Sequence, residues 1–192
     1  MNVSEVIDIF KESGGLLEGH FILTSGLHSR IFLQKARVFM YPDKTEKLMK
    51  ALAEKVKEAN WGNIDYLVAP AVGAIIPVYE MSRHMKVPAI WVEREKGQFQ
   101  LRRFAINPGA RVVVVEDIVT SGLSIKETIK CMQDLGAEVI GATSIIDRSA
   151  GRVNLGVPFI PLCEYDVPAY QPNDLPEDLR QIEAIKPGSR HL

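Results

Sequence analysis

Short apolar runs alternate with longer segments in which apolar residues recur every three or four positions. The runs lie at 66–69, 89–92, 111–115 and 139–146, and the periodic segments at 44–60, 73–85 and 123–135. Apolar runs separated by helices are typical of βαβ units, in which helices cover both faces of a parallel sheet. The pattern predicts an α/β fold with a mostly parallel, twisted sheet flanked by helices.

The first forty residues follow a different pattern. One face of an amphipathic helix is predicted from Val3, Val6, Ile7 and Phe10. Acidic residues interrupt this stretch, which therefore does not resemble a signal peptide. Two short β-favouring runs, 21–23 and 31–33, flank a turn at 24–26. These residues are expected to form a piece attached to the α/β core.

Two later segments break the alternation. Residues 93–110 are too polar for a core element, and residues 164–192 carry four prolines and are expected to be irregular. Asp43 followed by Glu46 resembles a capping box that starts the 44–60 helix. No repeat or shift in composition marks a boundary, so a single domain is expected. Its parts are the N-terminal piece (1–40), the core (41–165) and the tail (166–192).

Composition narrows the classes of protein. Hydrophobic residues make up 46% of the chain, which excludes a disordered protein. The net charge is −1, and this argues against nucleic acid as a partner. No apolar run reaches the ~18–20 residues of a membrane span, and the two cysteines, Cys131 and Cys163, form no metal-binding motif. We expect a cytoplasmic protein with inert buried thiols, in which His20 and His28 are structural.

The strongest chemical signal lies at residues 111–124. Four valines predict a buried strand, and Glu116 and Asp117 follow them at the edge of the sheet where α/β proteins bind ligands. Thr120-Ser121-Gly122 then leads into a helix, whose N-terminal N–H groups suit a phosphate. Acids for sugar hydroxyls beside a phosphate site indicate a phosphorylated sugar. The alternative is a strand-end acid pair followed by an ordinary helix cap.

Residues 112–124 resemble the phosphoribosyl-diphosphate (PRPP) motif of the type I phosphoribosyltransferases. The resemblance implies that Glu116 and Asp117 hold the ribose hydroxyls, and that the loop after them holds the 5′-phosphate. Residues 69–73 match the pyrophosphate loop of the same family. The PRPP-binding residues implied are Ala71, Val72, Gly73, Glu116, Asp117, Ile118, Val119, Thr120, Ser121, Gly122, Leu123 and Ser124.

Other segments resemble the orotate phosphoribosyltransferases in particular. These are residues 19–29, Asp147-Arg148 and the tail at 186–190. The orotate-binding residues implied are Thr24, Phe32, Thr120 and Arg148. Two alternatives stay open, because Arg148 could pair with Asp147 and Phe32 could belong to the core.

The chain departs from the family pattern at cationic positions. The best-known members have lysines where Thr24 and Gly73 stand, and a histidine in the catalytic loop that is missing here. We expect the loop at 94–103 to supply the charge and to be mobile without ligand. The resemblance implies a homodimer in which this loop reaches the other subunit, and action in its own site stays open as the alternative. The catalytic residues expected are Glu116, Asp117, Arg94, Lys96, Arg102 and Arg103.

The resemblance implies a small N-terminal hood over the sheet, and transfer of the phosphoribosyl group from PRPP to orotate. The products would be orotidine 5′-monophosphate and pyrophosphate, in de novo pyrimidine biosynthesis. Mg²⁺ would be held mainly by substrate, with no certain protein ligand. Two alternatives are a phosphoribosyltransferase for a purine or other base, and a PRPP-sensing regulator without catalysis. No helix-turn-helix supports the regulator.

Overall fold

The computed structural model describes residues 1–23 and 25–187. The helices are α1 (Val3–Glu12), α2 (Ala36–Phe39), α3 (Pro42–Glu58), α4 (Ile75–Met85), α5 (Leu123–Asp134) and α6 (Glu177–Arg180). The strands are β1 (Leu16–Ile22), β2 (His28–Leu33), β3 (Tyr66–Pro70), β4 (Ala89–Glu95), β5 (Gln98–Gln100), β6 (Arg111–Val119), β7 (Glu138–Asp147), β8 (Phe159–Glu164) and β9 (Ala169–Tyr170). No helix within these residues is both long and apolar enough to cross a membrane.

A six-stranded sheet forms the centre of the molecule, in the order β5-β4-β3-β6-β7-β8. All its neighbouring strands run parallel except β5, which is antiparallel to β4. Strands β1, β2 and β9 form a separate antiparallel sheet. The predicted α/β fold is therefore confirmed, and so is the N-terminal amphipathic helix.

The valines of β6 explain why the strand reads as a continuous apolar run. Val113 and Val115 face the cluster formed by α1, α3 and α4, whereas Val112 and Val114 face the side covered by α5. All four are fully buried. Because successive side chains of a strand point to opposite faces, helices on both sides leave no position for a polar residue. The helices packed on both faces of the sheet fix the position of the carboxyl end of β6.

Two expectations about local structure are wrong, and one strand was missed. Helix α3 begins with Pro42 after Tyr41, without a side-chain cap, so Asp43 does not start a capping box. Proline suits this first position because the N–H it lacks would be unpaired there. Strand β6 continues to Val119, so the two acids lie inside the strand and not after it. Strand β8 was not predicted; Pro161 lies within it and is tolerated because β8 is an edge strand.

The segment expected to be an irregular loop forms a hairpin. Strands β4 and β5 pair antiparallel across a turn at Lys96 and Gly97. Phe99 and Leu101 pack against one of the hydrophobic clusters of the core. These two side chains anchor the segment that the sequence analysis expects to be mobile without ligand.

The tail is less irregular than expected, because it joins the N-terminal strands. Tyr170 of β9 pairs with His28, and Ile185 forms a bridge with Phe21. The part of the tail at 188–190 that carries the family resemblance lies outside the described residues. His20 has the structural role expected for it, since its Nε2 lies 2.6 Å from Nδ1 of His28.

The two cysteines are free. Cys163 is buried and Cys131 partly buried, and burial raises the pKa of both thiols, to about 11 for Cys163. A thiol with a raised pKa carries little thiolate at neutral pH and is a poor nucleophile. This agrees with the expectation of inert thiols.

Candidate active site

Three loops meet at the carboxyl edge of the central sheet. They follow the neighbouring strands β3, β6 and β7, and they contain residues 71–74, residues 120–122 and Arg148 respectively. Parallel strands bring their carboxyl ends to one edge, which is where open α/β sheets bind ligands. The sheet topology thus brings together the three segments that the sequence singled out.

Glu116 and Asp117 are both buried at this edge. The N–H of Asp117 donates to Oε1 of Glu116 at 3.1 Å, and the N–H of Ile118 donates to Oδ1 of Asp117 at 2.6 Å. Burial and the neighbouring charge of Asp117 raise the pKa of Glu116 to about 8. The pair therefore holds a proton near neutral pH and can both donate to and accept from a hydroxyl group.

Lys35 is the residue that the sequence analysis missed. It lies between β2 and α2, and its ammonium forms an ion pair with Asp117. The ammonium pairs with Oδ2 of Asp117. Among the described residues, this oxygen accepts no hydrogen bond of normal geometry. The Asp117 side chain is 1% exposed and that of Lys35 is 37% exposed. The only sequence signal is a lysine directly after an apolar strand, which does not reveal its partner.

The loop at residues 120–122 leads into the twelve-residue helix α5. Thr120 and Ser121 are exposed, and Gly122 precedes the helix with φ +75°. A Cβ at Gly122 would lie 2.5 Å from Cγ1 of Val153, so both the backbone conformation and the space require glycine. Gly122 has no side chain to cap the helix, and the N–H of Leu123 makes only a long hydrogen bond of 3.4 Å to Oγ of Ser121, so the N-terminus of the helix suits a bound anion.

Residues 71–74 form the turn between β3 and α4. The N–H of Ala71 donates to the carbonyl of Val92 at 2.8 Å, which ties the turn to β4. The peptide bond between Ala71 and Val72 is cis. Val72 is 82% exposed, and within residues 1–23 and 25–187 no hydrogen bond uses the N–H of Val72 or Gly73. These two amides are available to an anion.

Arg148 directly follows β7, and its N–H donates to the carbonyl of Val119 at 2.8 Å. In the described part of the chain no carboxylate lies within ion-pair distance of its guanidinium, and its buried Nε has no hydrogen-bond partner. Asp147 instead accepts a hydrogen bond from the N–H of Ser149 at 2.7 Å. Burial lowers the pKa of Arg148, against the opposing effects of Tyr165 and Asp166. The alternative pairing of Arg148 with Asp147 is therefore not formed.

The arginines of the β4–β5 hairpin are paired within their own chain. Arg94 forms an ion pair with Glu127 of α5, and its guanidinium lies 4.3 Å from the ring centre of Phe99. Arg103 pairs with Glu93, and Arg102 lies between Glu93 and Glu95. Lys96 is exposed at the turn. Three of the four expected loop cations are thus neutralised where they lie.

The remaining predicted contacts belong to the hood. Phe32 is partly buried on β2, and its ring centre lies 5.8 Å from that of Phe21. Thr24 lies outside the described residues. Among the described residues, one group of three side chains has carboxylate, thiol or imidazole atoms close enough together to hold a metal ion. Its members are Glu46, Glu80 and His84. That group belongs to α3 and α4, and none of its members is among the predicted site residues.

The chain is similar to known proteins over its whole length. Residues 41–156 match the phosphoribosyl transferase domain family. The chain is 65% identical to orotate phosphoribosyltransferase 2 of Mesorhizobium japonicum and 62% identical to the orotate phosphoribosyltransferase of Brucella anthropi, in each case over the full length of both proteins.

Solved structures share the fold at lower identity. The UMP synthase of Leishmania donovani matches 83% of this chain and 36% of its own, with a TM-score of 0.72 and 24% identity. The orotate phosphoribosyltransferase of Aeropyrum pernix matches 83% of this chain and 93% of its own, with a TM-score of 0.68 and 23% identity. At this identity the two structures establish the fold alone.

Proposed function

Because the chain belongs to the orotate phosphoribosyltransferases, which convert PRPP and orotate to orotidine 5′-monophosphate and pyrophosphate in pyrimidine biosynthesis, we propose how its residues carry out that reaction. A ring nitrogen of orotate bonds to the anomeric carbon while the bond from that carbon to the diphosphate oxygen breaks. The electron pair leaves with the diphosphate, and the ring nitrogen loses its proton to water. The observation that carries the assignment is the 65% identity over the whole of both chains.

Glu116 and Asp117 bind the ribose hydroxyls in this proposal. Asp117 accepts a hydrogen bond from one hydroxyl through Oδ2, the atom that has no normal hydrogen bond in the described structure. Glu116, whose pKa of about 8 keeps it largely protonated at pH 7, lies beside it. Such charge-assisted bonds hold the sugar while positive charge develops at the anomeric carbon.

The 5′-phosphate binds where β6 passes into α5. Thr120 and Ser121 supply hydroxyl groups, and Gly122 to Ser124 supply backbone amides at the positive end of the helix. The support is the N-terminus of the twelve-residue helix α5, which lies three residues after the acid-bearing strand and whose N-cap residue, Gly122, has no side chain.

Arg148 binds the orotate carboxylate or a carbonyl beside it, with Phe32 on the hood side of the base, and the role of Thr24 stays a prediction from the family resemblance. The support for Arg148 is its partly buried guanidinium, which meets no carboxylate among the described residues. A buried cation without a partner is costly unless a ligand supplies the opposite charge. Orotate is an anion at neutral pH and supplies it.

The diphosphate binds at Ala71, Val72 and Gly73. The amides of Val72 and Gly73 have no partner in the described structure and suit the charge on the leaving group. We retain Arg94, Lys96, Arg102 and Arg103 as catalytic cations. Three of these must exchange their present carboxylate partners for phosphate, so their role requires a movement of the hairpin.

Magnesium fits this site as an ion held mainly by the substrate. Oδ2 of Asp117 is a carboxylate oxygen of the site without a normal hydrogen bond, but it forms an ion pair with the ammonium of Lys35. Asp117 could therefore hold the ion through water, with direct ligands coming from PRPP. Bound in this way, Mg²⁺ would neutralise part of the diphosphate charge.

We propose that the enzyme is a cytoplasmic homodimer. The support for a second copy is an exposed apolar face at the start of α4, formed by Val72, Ile76 and Tyr79. Contiguous apolar residues of this kind mark interaction surfaces. Light scattering on the purified protein measures its mass, and a Tyr79→Glu variant should shift it toward the monomer. Cell fractionation tests the location.

A base screen tests the substrate assignment. Orotate, uracil, adenine, hypoxanthine and xanthine are each mixed with PRPP and Mg²⁺, and product is followed by absorbance. Orotate alone should be converted. Conversion of a purine would favour the alternative transferase, and PRPP binding without any turnover would favour a regulator.

A further inference from the structure

Lys35 brings one positive charge into contact with two parts of the site. Its ammonium pairs with Asp117 of β6. A Cβ built at Gly73 would lie 2.9 Å from Nζ of Lys35 and 3.0 Å from its Cε, and would collide with the Asp117 carboxylate. The ammonium therefore lies where a side chain of the 71–74 turn would begin. Gly73 has to lack a side chain for Lys35 to reach this position.

We propose that Lys35 is a further cation that binds the diphosphate of PRPP and the departing pyrophosphate, and that it can do so without a movement of the hairpin. The proposal rests on the placement of PRPP given above, with the ribose at Asp117 and the diphosphate at the 71–74 turn. Lys35 is the residue between those two positions. When Asp117 accepts a ribose hydroxyl, the ammonium can turn to the diphosphate, which lies beside it on the turn.

The other cations near the site support this choice. Arg94, Arg102 and Arg103 are each engaged by glutamates of the same chain. The Lys35 side chain is 37% exposed, so a ligand can reach it from solvent without displacing the core. A lysine ammonium is a compact point charge with three donors, which suits an oxygen-rich group such as diphosphate.

In this proposal the Asp117 carboxylate competes with the bound pyrophosphate for the ammonium of Lys35. After transfer, the Asp117 carboxylate attracts the ammonium again as the ribose leaves. Removing the negative charge of Asp117 should therefore strengthen pyrophosphate binding, whereas removing the positive charge of Lys35 should weaken it. A substitution that only disturbed the structure of the site would weaken pyrophosphate binding at either position, so opposite effects at Lys35 and Asp117 indicate a direct contact between Lys35 and the ligand.

Calorimetry with pyrophosphate in the absence of Mg²⁺, and separately with ribose 5-phosphate, tests the proposal, because without the ion Asp117 acts on pyrophosphate only through its charge and its pairing with Lys35. Lys35→Met should weaken pyrophosphate binding by about tenfold or more, the scale of one charge-assisted contact. It should leave ribose 5-phosphate binding unchanged or tighter, because that ligand has no diphosphate. Lys50→Met, on the exposed side of α3, is the matched control and should change neither affinity.

Asp117→Asn is the second variant, titrated with the same two ligands. Pyrophosphate should bind at least as tightly as to the wild type, and ribose 5-phosphate more weakly. The proposal is overturned if Lys35→Met binds pyrophosphate as the wild type does, or if Asp117→Asn binds it more weakly. If the wild type binds neither ligand, the placement of PRPP has failed instead.

Discussion

Replacing Arg148 with methionine should lower activity and raise stability. The change keeps the apolar stem of the side chain and removes its charge. In the described structure the guanidinium meets no carboxylate, and its Nε is buried without a partner. Leaving a buried polar group unpaired costs about 1–3 kcal/mol, so its removal should stabilise the protein by up to that amount. For a chain of this size, that is about 2–4 °C in Tm per kcal/mol.

The same substitution removes the contact with orotate that we propose for Arg148. A hydrogen bond to a charged group contributes roughly 1.5–3 kcal/mol, which corresponds to about a 10- to 150-fold loss. The loss should appear in kcat/KM for orotate, while the affinity for PRPP changes little. Steady-state kinetics with each substrate varied in turn, together with a thermal melt, give both quantities.

Arg152→Met is the matched control for Arg148→Met. Arg152 lies four residues further along, is 69% exposed and approaches Asp166 at 3.6 Å. Such a surface pair contributes about 0–1 kcal/mol, so neither kcat/KM nor Tm should change appreciably. If Arg148→Met instead melts at a lower temperature and uses orotate as well as the wild type does, Arg148 is a structural residue and the base pocket lies elsewhere.

Three further predictions concern the acids and the hairpin. Asp117→Asn should lower kcat/KM for PRPP by about ten- to a hundredfold with little change in orotate affinity, and unchanged turnover would make the acid pair merely structural. The pKa of Glu116 is raised from 4.5 to about 8, so the stability it contributes is full below about pH 4.5 and is lost as the pH rises through about 8. Glu116→Gln should therefore flatten the pH dependence of Tm between these values, and an unaltered slope would contradict the raised pKa. The third test mixes two variants that should each be nearly inactive alone, Asp117→Asn and the double variant Arg102→Ala/Arg103→Ala. If the hairpin acts in the partner's site, the hybrid dimer has one intact site and should recover about half of wild-type dimer activity. If the hairpin acts in its own site, no activity should return.

The central sheet was predictable because local pattern and tertiary position agree there. Residues 112–115 are apolar at every position, which is what burial on both faces by α3, α4 and α5 requires. The acids and the phosphate loop followed from the same strand, since they come at its carboxyl end. Strand β8 was missed because Pro161 argues against a strand unless the strand is known to lie at an edge.

The errors concern features that depend on contacts distant in sequence. The polar segment after residue 93 gives no sign that Phe99 and Leu101 will pack on the core and order a hairpin. Lys35 gives no sign that it will meet Asp117, because it lies between β2 and α2 and is 82 positions away from Asp117 of β6 in sequence. The sequence shows which residues are charged, but only the fold shows which of them lie at the site.

The small sheet joins segments from opposite ends of the chain, and this has a consequence for how the enzyme is synthesised. His28 pairs with Tyr170, and Phe21 with Ile185, so β1 and β2 leave the ribosome long before these partners exist. All strands of the central sheet are synthesised by residue 164. The core can therefore assemble early on the nascent chain, whereas the small sheet closes only after residue 185 emerges. A chain released before residue 185 emerges would therefore carry the acid pair of β6 without the completed small sheet.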